Sequence, residues 1–355
     1  MDRIIDKSNL NNMGFINARI LVLFIKFLIF LINIIVVVKP VRIKIRKKLF
    51  NLINKIFLKE VKKEIKNIRS KYSDYYIFSL FFPLGDLGIA CSLMKIFKNK
   101  NNKKILVIVN DKNRARVASL FPSIDKIMIV HPFVYDYIYN NPEFKIKKGR
   151  IYEINHWKFY DAPKYKSKNF LELYAHMLGL KEWENFESPV FSEMLVDNVM
   201  KIIEKKHIDI RKTVFIAKDS NSFNCKLIDE NFWINKAKYY KNMGYEVVFN
   251  SKKKSFQGYK TIFLPMHEQL YFCSLCKKVV AIRSGFNDLL GLMKLDNLEI
   301  YYPKTMFFGS IKKIDQLCEF KRAFFDDESK NFNENMYRIT SLNMFNLKHV
   351  EEYIL

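Results

Sequence analysis

The stretch Phe82–Phe97, FPLGDLGIACSLMKIF, sets one carboxylate, Asp86, between two glycines, Gly85 and Gly88, after an apolar run and ahead of a helical pattern. A carboxylate at the mouth of a strand can take the proton of an attacking hydroxyl, and the glycines allow a tight turn and close approach of another molecule. The same aspartate is equally what a helix start takes as a cap. Two further loops suit a phosphate. In Ala217–Phe223, AKDSNSF, Lys218 offers a point charge, and Ser220 and Ser222 offer hydroxyls. In Ala281–Gly291, AIRSGFNDLLG, a strand gives way at Ser284 and Gly285 to a helix whose free N–H groups and positive dipole end would face an anion. Arg283 could add a bidentate contact there, and Asp288 follows in the first turn. The alternative is that Ser284 or Asn287 caps the helix while Arg283 pairs with Asp288. His267, opening HEQL, either reaches a bound donor from a neighbouring loop or is an exposed helix start.

The elements that must hold these loops alternate as β-α units, the pattern of parallel sheets. The first series predicts strands at 75–81, 104–109, 126–130 and 150–155, with helices at 87–97, 113–120 and 170–180. A helix over 197–206 leads to the second series. Its strands are expected at 213–217, 246–250, 260–263, 278–281 and 298–302, and its helices at 230–242, 267–276 and 287–295. Helices near 329–338 and 347–354 close the chain. In doubly wound sheets, ligands sit beyond the carboxyl ends of strands, where all three loops fall.

The chain's 355 residues exceed what one core usually organises, and 49% hydrophobic with 27% charged residues exclude a disordered chain and a polytopic membrane protein. Five cysteines, Cys91, Cys225, Cys273, Cys276 and Cys318, lack framework spacing, which implies reduced thiols and a reducing compartment. The lone CxxC at Cys273 and Cys276 has no second pair to complete a metal site, and the six histidines show no zinc spacing.

The formal charge of +25 is unevenly placed: residues 1–71 hold 17 Lys and Arg against four acidic residues. No recognition motif accompanies it, which argues against nucleic acid. Ile20–Val38, ILVLFIKFLIFLINIIVVV, is long enough to span a bilayer, yet Arg19, Lys26 and Asn33 form one polar stripe that also suits a helix lying in the interface. A basic amphipathic helix follows, with Leu49, Ile53, Ile56, Phe57, Val61 and Ile65 at helical steps. It is read as a clamp on an anionic membrane surface, the alternative being an apolar stripe docked on the body. The expected division is a membrane-associated segment 1–72, Rossmann-like domains 73–206 and 207–325, and a helical tail 326–355.

From about Tyr75 to Pro303 the order of these loops resembles the GT-B glycosyltransferases, most of all the heptosyltransferase-like family 9 of bacterial lipopolysaccharide synthesis. The resemblance rests on Gly85-Asp86 after strand one, Lys218 after the first strand of the second half, and the late Ser284-Gly285 helix start. It implies two doubly wound Rossmann-like domains and a general base at Asp86. Donor phosphate contacts would fall at Lys218, and the nucleotide sugar would be held at Ser284 and Gly285. Where the family usually shows Asp before and His after the Ser-Gly pair, this chain has Arg283 and Asp288. The resemblance further implies inverting transfer from a nucleotide-sugar donor to a membrane-linked glycan at the cytoplasmic face of the bacterial inner membrane, with neither cofactor nor metal. Two rivals remain: a non-enzymatic polyanion-binding scaffold, and a transferase of the same fold that moves a polyol phosphate.

Overall fold

Runs such as KILVIV and TVFIA, apolar on both faces, become central strands of parallel sheets, where helices cover both sides. The computed structural model describes residues 3–6, 61–80, 83–131, 134, 138, 151–153, 170–219, 230–253, 255–282, 284–293, 295, 297–303, 336–340 and 350–353.

In chain order the elements open with β1 (Ile4–Asp6), α1 (residues 61–71), β2 (Tyr75–Ser79), α2 (Leu84–Ser92), α3 (Met94–Asn101), β3 (Lys104–Val109), α4 (Lys112–Ala118), β4 (Lys126–Ile129) and β5 (Ile151–Glu153). There follow α5 (Phe170–Met177), α6 (Glu193–Lys205), β6 (Thr213–Ala217), α7 (Glu230–Asn242), β7 (Glu246–Asn250), β8 (Ser255–Phe256), β9 (Tyr259–Ile262), α8 (Met266–Leu275), β10 (Lys278–Ile282), α9 (Gly285–Leu292) and β11 (Leu298–Pro303). The last two, β12 (Met336–Thr340) and β13 (Val350–Tyr353), are strands where helix was expected. Both pair antiparallel, β12 against β11 and β13 against β12, so ladder partners override the weak helical spacing of this tail.

Two compact units share the chain: residues 1–81, 103–115 and 125–153 form one, and 82–102, 116–124 and 154–355 the other. The first is built on an all-parallel five-stranded sheet of order β1-β4-β3-β2-β5. Its core takes in Val61, Ile65, Ile68 and Tyr72 together with Ile77, Leu106, Ile108 and Met128. The stripe expected to clamp a membrane is therefore, over α1, docked on the protein's own sheet, because that burial removes Val61 and Ile65 from solvent almost completely. The rest of that stripe and Ile20–Val38 lie outside the described residues. No helix among the described residues is long and apolar enough to cross a membrane.

The second unit holds an eight-stranded sheet of order β13-β12-β11-β10-β6-β7-β9-β8, parallel from β11 through β9. The chain winds outward from β6 to β7 and β9, then crosses back to place β10 on the other side of β6. The winding direction thus reverses between β6 and β10. A tight turn with Gln257 at φ 49° and Gly258 at φ 81° closes the β8–β9 hairpin, conformations that glycine adopts at little cost. The hairpin seats Phe256 against Phe249, ring centroids 4.5 Å apart. On β11, Glu299 is fully buried, accepts from Tyr240 at 2.7 Å and from Tyr301, and faces Lys278 at 3.3 Å and Lys236 at 3.5 Å. These contacts tie α7 to the sheet.

Candidate active site

Open α/β sheets bind ligands where the winding direction reverses, at the carboxyl ends of the two strands concerned. In the second unit those strands are β6 and β10, paired in register with Ala217 opposite Ala281. Lys218 leaves the first and Ser284 follows the second, so two of the three candidate loops emerge side by side.

Ser284 is the N-cap of α9, with extended backbone at φ −163° and ψ 171°. Its N–H donates to Asn287 Oδ1 at 2.6 Å and its hydroxyl to the same oxygen at 3.1 Å, a capping arrangement with Asn in the place usually held by Glu or Gln. The capping alternative foreseen for Ser284 and Asn287 is thus realised, and it fixes the direction from which α9 presents its first turn. Lys218 donates to Asp219 Oδ1 at 2.9 Å, and its ammonium stands 5.1 Å from the centroid of the Phe256 ring. The buried aromatic fixes the stem while the charge stays at the sheet edge. Ser220, Ser222 and Arg283 lie outside the described residues.

The third loop belongs to the same unit. Gly85 and Gly88 are not turn residues here: both lie within α2, and neither is among the positive-φ positions of the described chain. Their use is the missing side chain. A Cβ on Gly85 would overlap Asp288 Oδ2 and lie 2.8 Å from Gly285 Cα, and one on Gly88 would overlap Leu289 Cδ2. The close approach foreseen for another molecule is made by α9, whose start packs directly on the start of α2. Asp86 sits half-buried in the first turn of α2, whose N-cap is Pro83, so it is not itself the cap. Placed there, a carboxylate is favoured by the positive end of the helix dipole. Asp288 is almost fully buried in the first turn of α9, its carboxylate against the Gly85 backbone.

Sequence reasoning missed Tyr174. It lies on α5, which packs on α2, and is fully buried. Burial, then the charges of Asp86 and Asp288, hold its phenol well above the usual tyrosine range, so it is a hydrogen-bond donor at all ordinary pH. Nothing in FLELYAHM singles out one tyrosine on an apolar helix; the neighbouring carboxylates do so only in three dimensions.

His267 is half-buried in the first turn of α8. Burial and the Arg116 guanidinium lower its pKa to about 4, so the ring is neutral near pH 7 and able to accept as well as donate a hydrogen bond. Cys273 and Cys276 are buried, and burial pushes both thiols up, which makes them packing groups. Among the described residues, no three His, Cys, Asp or Glu side chains are grouped to hold a metal.

No family model matches the chain, and no curated protein matches it. Its fold is similar to several solved structures. One is a glycosyl transferase of family 9 from Veillonella parvula, at 12% identity and TM-score 0.48, covering 64% of this chain and 80% of that one. A second is the ADP-heptose lipopolysaccharide heptosyltransferase II of E. coli, also at 12% identity and TM-score 0.48, covering 63% and 83%. A third is the iron-containing dodecameric heptosyltransferase TibC of enterotoxigenic E. coli, solved with ADP-D-β-D-heptose, at 13% identity and TM-score 0.45, covering 73% and 66%.

Proposed function

We propose that the chain is an inverting glycosyltransferase that moves a sugar from a nucleotide-sugar donor to a membrane-associated bacterial surface glycan at the cytoplasmic face of the inner membrane. The observation that carries this reading is the contact of two helix starts, Gly85 on Gly285, in one unit. One start bears a carboxylate able to act as base. The other follows the strand beside the winding reversal, where a diphosphate is best received.

In this scheme Asp86 takes the proton of an acceptor hydroxyl as it attacks the anomeric carbon, opposite the departing nucleotide. The C–O bond to the diphosphate breaks as the new glycosidic bond forms. Charge developing on the leaving diphosphate is met by Lys218, Arg283 and the N–H groups of the Ser284–Gly285 start, with Ser220 and Ser222 as further donors. Asp288 serves the same site by holding the two helix starts together. His267, neutral, is placed to accept from a donor hydroxyl or base. The scheme needs no metal, since these positive groups do the work a divalent cation would otherwise do.

The test is thermal stability of the full chain against a panel of nucleoside diphosphates and nucleotide sugars. A ligand at a hundredfold its dissociation constant stabilises by about 2.7 kcal/mol. A selective shift that disappears in Lys218→Ala supports a donor site and names the nucleotide. No shift with any nucleotide overturns the reading.

A further inference from the structure

β1 and α1 bracket the apolar run Ile20–Val38 in sequence, and both belong to the first unit. β1 pairs parallel with β4, Ile5 opposite Met128, and Ile127 N donates to Arg3 O at 2.8 Å. At the end of the strand Asp6 faces Lys112, the first residue of α4, at 3.5 Å. α1 buries Val61, Ile65 and Ile68 in the core on this sheet, and Ile5 packs against that same cluster. Segments that share a ladder and a core cannot stand on opposite sides of a hydrocarbon layer about 30 Å thick.

A chain that leaves one compartment and returns to it crosses a bilayer an even number of times. Each crossing by a helix takes about 20 predominantly apolar residues. Between Asp6 and Val61 only Ile20–Val38 has that composition. Residues 7–19 are short and polar, and residues 39–60 hold eight Lys and Arg, which are costly at the bilayer centre. With one run able to cross, the even number is zero. The polar stripe of Arg19, Lys26 and Asn33 suits contact with one leaflet, and the cations that follow suit its anionic headgroups.

We propose that the chain meets a lipid surface from one side only: no crossing lies between β1 and α1, and residues 3–6, α1 and the five-stranded sheet all face the same compartment. Of the two readings of Ile20–Val38, this selects contact with one leaflet. The argument is independent of glycosyl transfer, since it uses only strand pairing, core packing and the charge of the intervening sequence.

The experiment uses the full chain with Cys225→Ser and Cys318→Ser, produced in a bacterium; Cys91, Cys273 and Cys276 are buried and stay silent. Into this chain go, separately, Asp6→Cys on β1 and Lys63→Cys on α1, both at exposed positions. Spheroplasts are treated with a membrane-impermeant maleimide before and after lysis. The two cysteines should behave alike, protected in intact spheroplasts and labelled after lysis, with the chain in the membrane fraction. Labelling of Asp6→Cys from outside while Lys63→Cys is protected overturns the proposal, and a chain recovered wholly in the soluble fraction overturns the lipid contact. Labelling of both from outside upholds one-sidedness and sinks the cytoplasmic placement instead. Should Asp6→Cys loosen β1, the pair Asp6→Cys and Lys112→Cys gives a second readout. A short bifunctional maleimide should join the two in the membrane-bound chain, and failure to join them there overturns the proposal. Nucleotide binding is measured separately: a bound nucleotide with Asp6→Cys on the far side sinks this proposal alone, and one-sided labelling without any nucleotide bound upholds it while the transfer reading falls.

Discussion

Gly85 and Gly285 meet backbone to backbone: a Cβ on Gly285 would stand 3.0 Å from Gly85 N, and one on Gly85 would stand 2.8 Å from Gly285 Cα and overlap Asp288 Oδ2. The two positions should therefore respond unequally to alanine. Helix propensity favours Ala by up to roughly 1 kcal/mol, whereas overpacking costs about 1–3 kcal/mol. At Gly85 the obstacle is backbone and a buried carboxylate, so Gly85→Ala should lower stability by about 1–2 kcal/mol and weaken nucleotide binding with it. At Gly285 a displacement of a few tenths of an ångström suffices, and Gly285→Ala should stay within about 1 kcal/mol of the parent. Urea unfolding of both variants checks the order; equal losses would mean that the seam yields elsewhere.

Lys218 separates binding from folding. Its ion pair with Asp219 is partly open to water and its contact with Phe256 is a single cation–π stack. Together these are worth no more than about 2 kcal/mol to the unliganded chain. Lys218→Ala should thus remain folded and lose most of the nucleotide-dependent rise in melting temperature. Retention of the full rise would remove Lys218 from the donor site.

The central strands were legible because these apolar runs are only five or six residues long and rich in Val, Ile and Phe, which suits a buried strand better than a helix: KILVIV at 104–109, TVFIA at 213–217 and EVVFN at 246–250 all form strands at the expected residues. The edges were not. Ile4–Asp6, Ser255–Phe256, Met336–Thr340 and Val350–Tyr353 are short and made strands by their neighbours, which no local pattern records. At the candidate site the residue types could be read, but the purpose of the glycines could not. Sequence order sets α2 and α3 with the first series, whereas glycine-tight packing on α9 places them in the second unit. Tyr174 stayed hidden for the same reason, since its significance depends on two helices far away in sequence.

Glu299 tests whether the polar cluster on β11 supports the fold alone. The carboxylate is fully buried with two tyrosine hydroxyls and two ammonium groups around it. Removing one member of a buried ion pair strands the others, at a cost of about 3–5 kcal/mol. Glu299→Ala should lose that much in urea unfolding, and Glu299→Gln, which keeps the volume and one acceptor oxygen for one of the two tyrosines, should lose less. Whatever fraction folds should still bind nucleotide, because Glu299 stands level with Val280 and Ile216, inside the sheet and not on the loops that carry Lys218 and Ser284.

His267 gives stability a specific dependence on acid. Its folded pKa, about 4, lies below the unfolded value near 6.5. Between those values the unfolded chain holds a proton that the native chain refuses, so unfolding becomes easier as pH falls through that window and no further below it. Glu268 beside it works oppositely: burial raises its carboxyl, so the native chain binds the extra proton and gains stability as pH falls. The raw curve mixes the two, and the difference between parent and His267→Gln isolates the imidazole. Melting temperatures measured from pH 4 to 7 should fall less steeply toward acid in the variant than in the parent. Parallel curves would place the imidazole in open water, free of both the burial and the Arg116 charge that depress it.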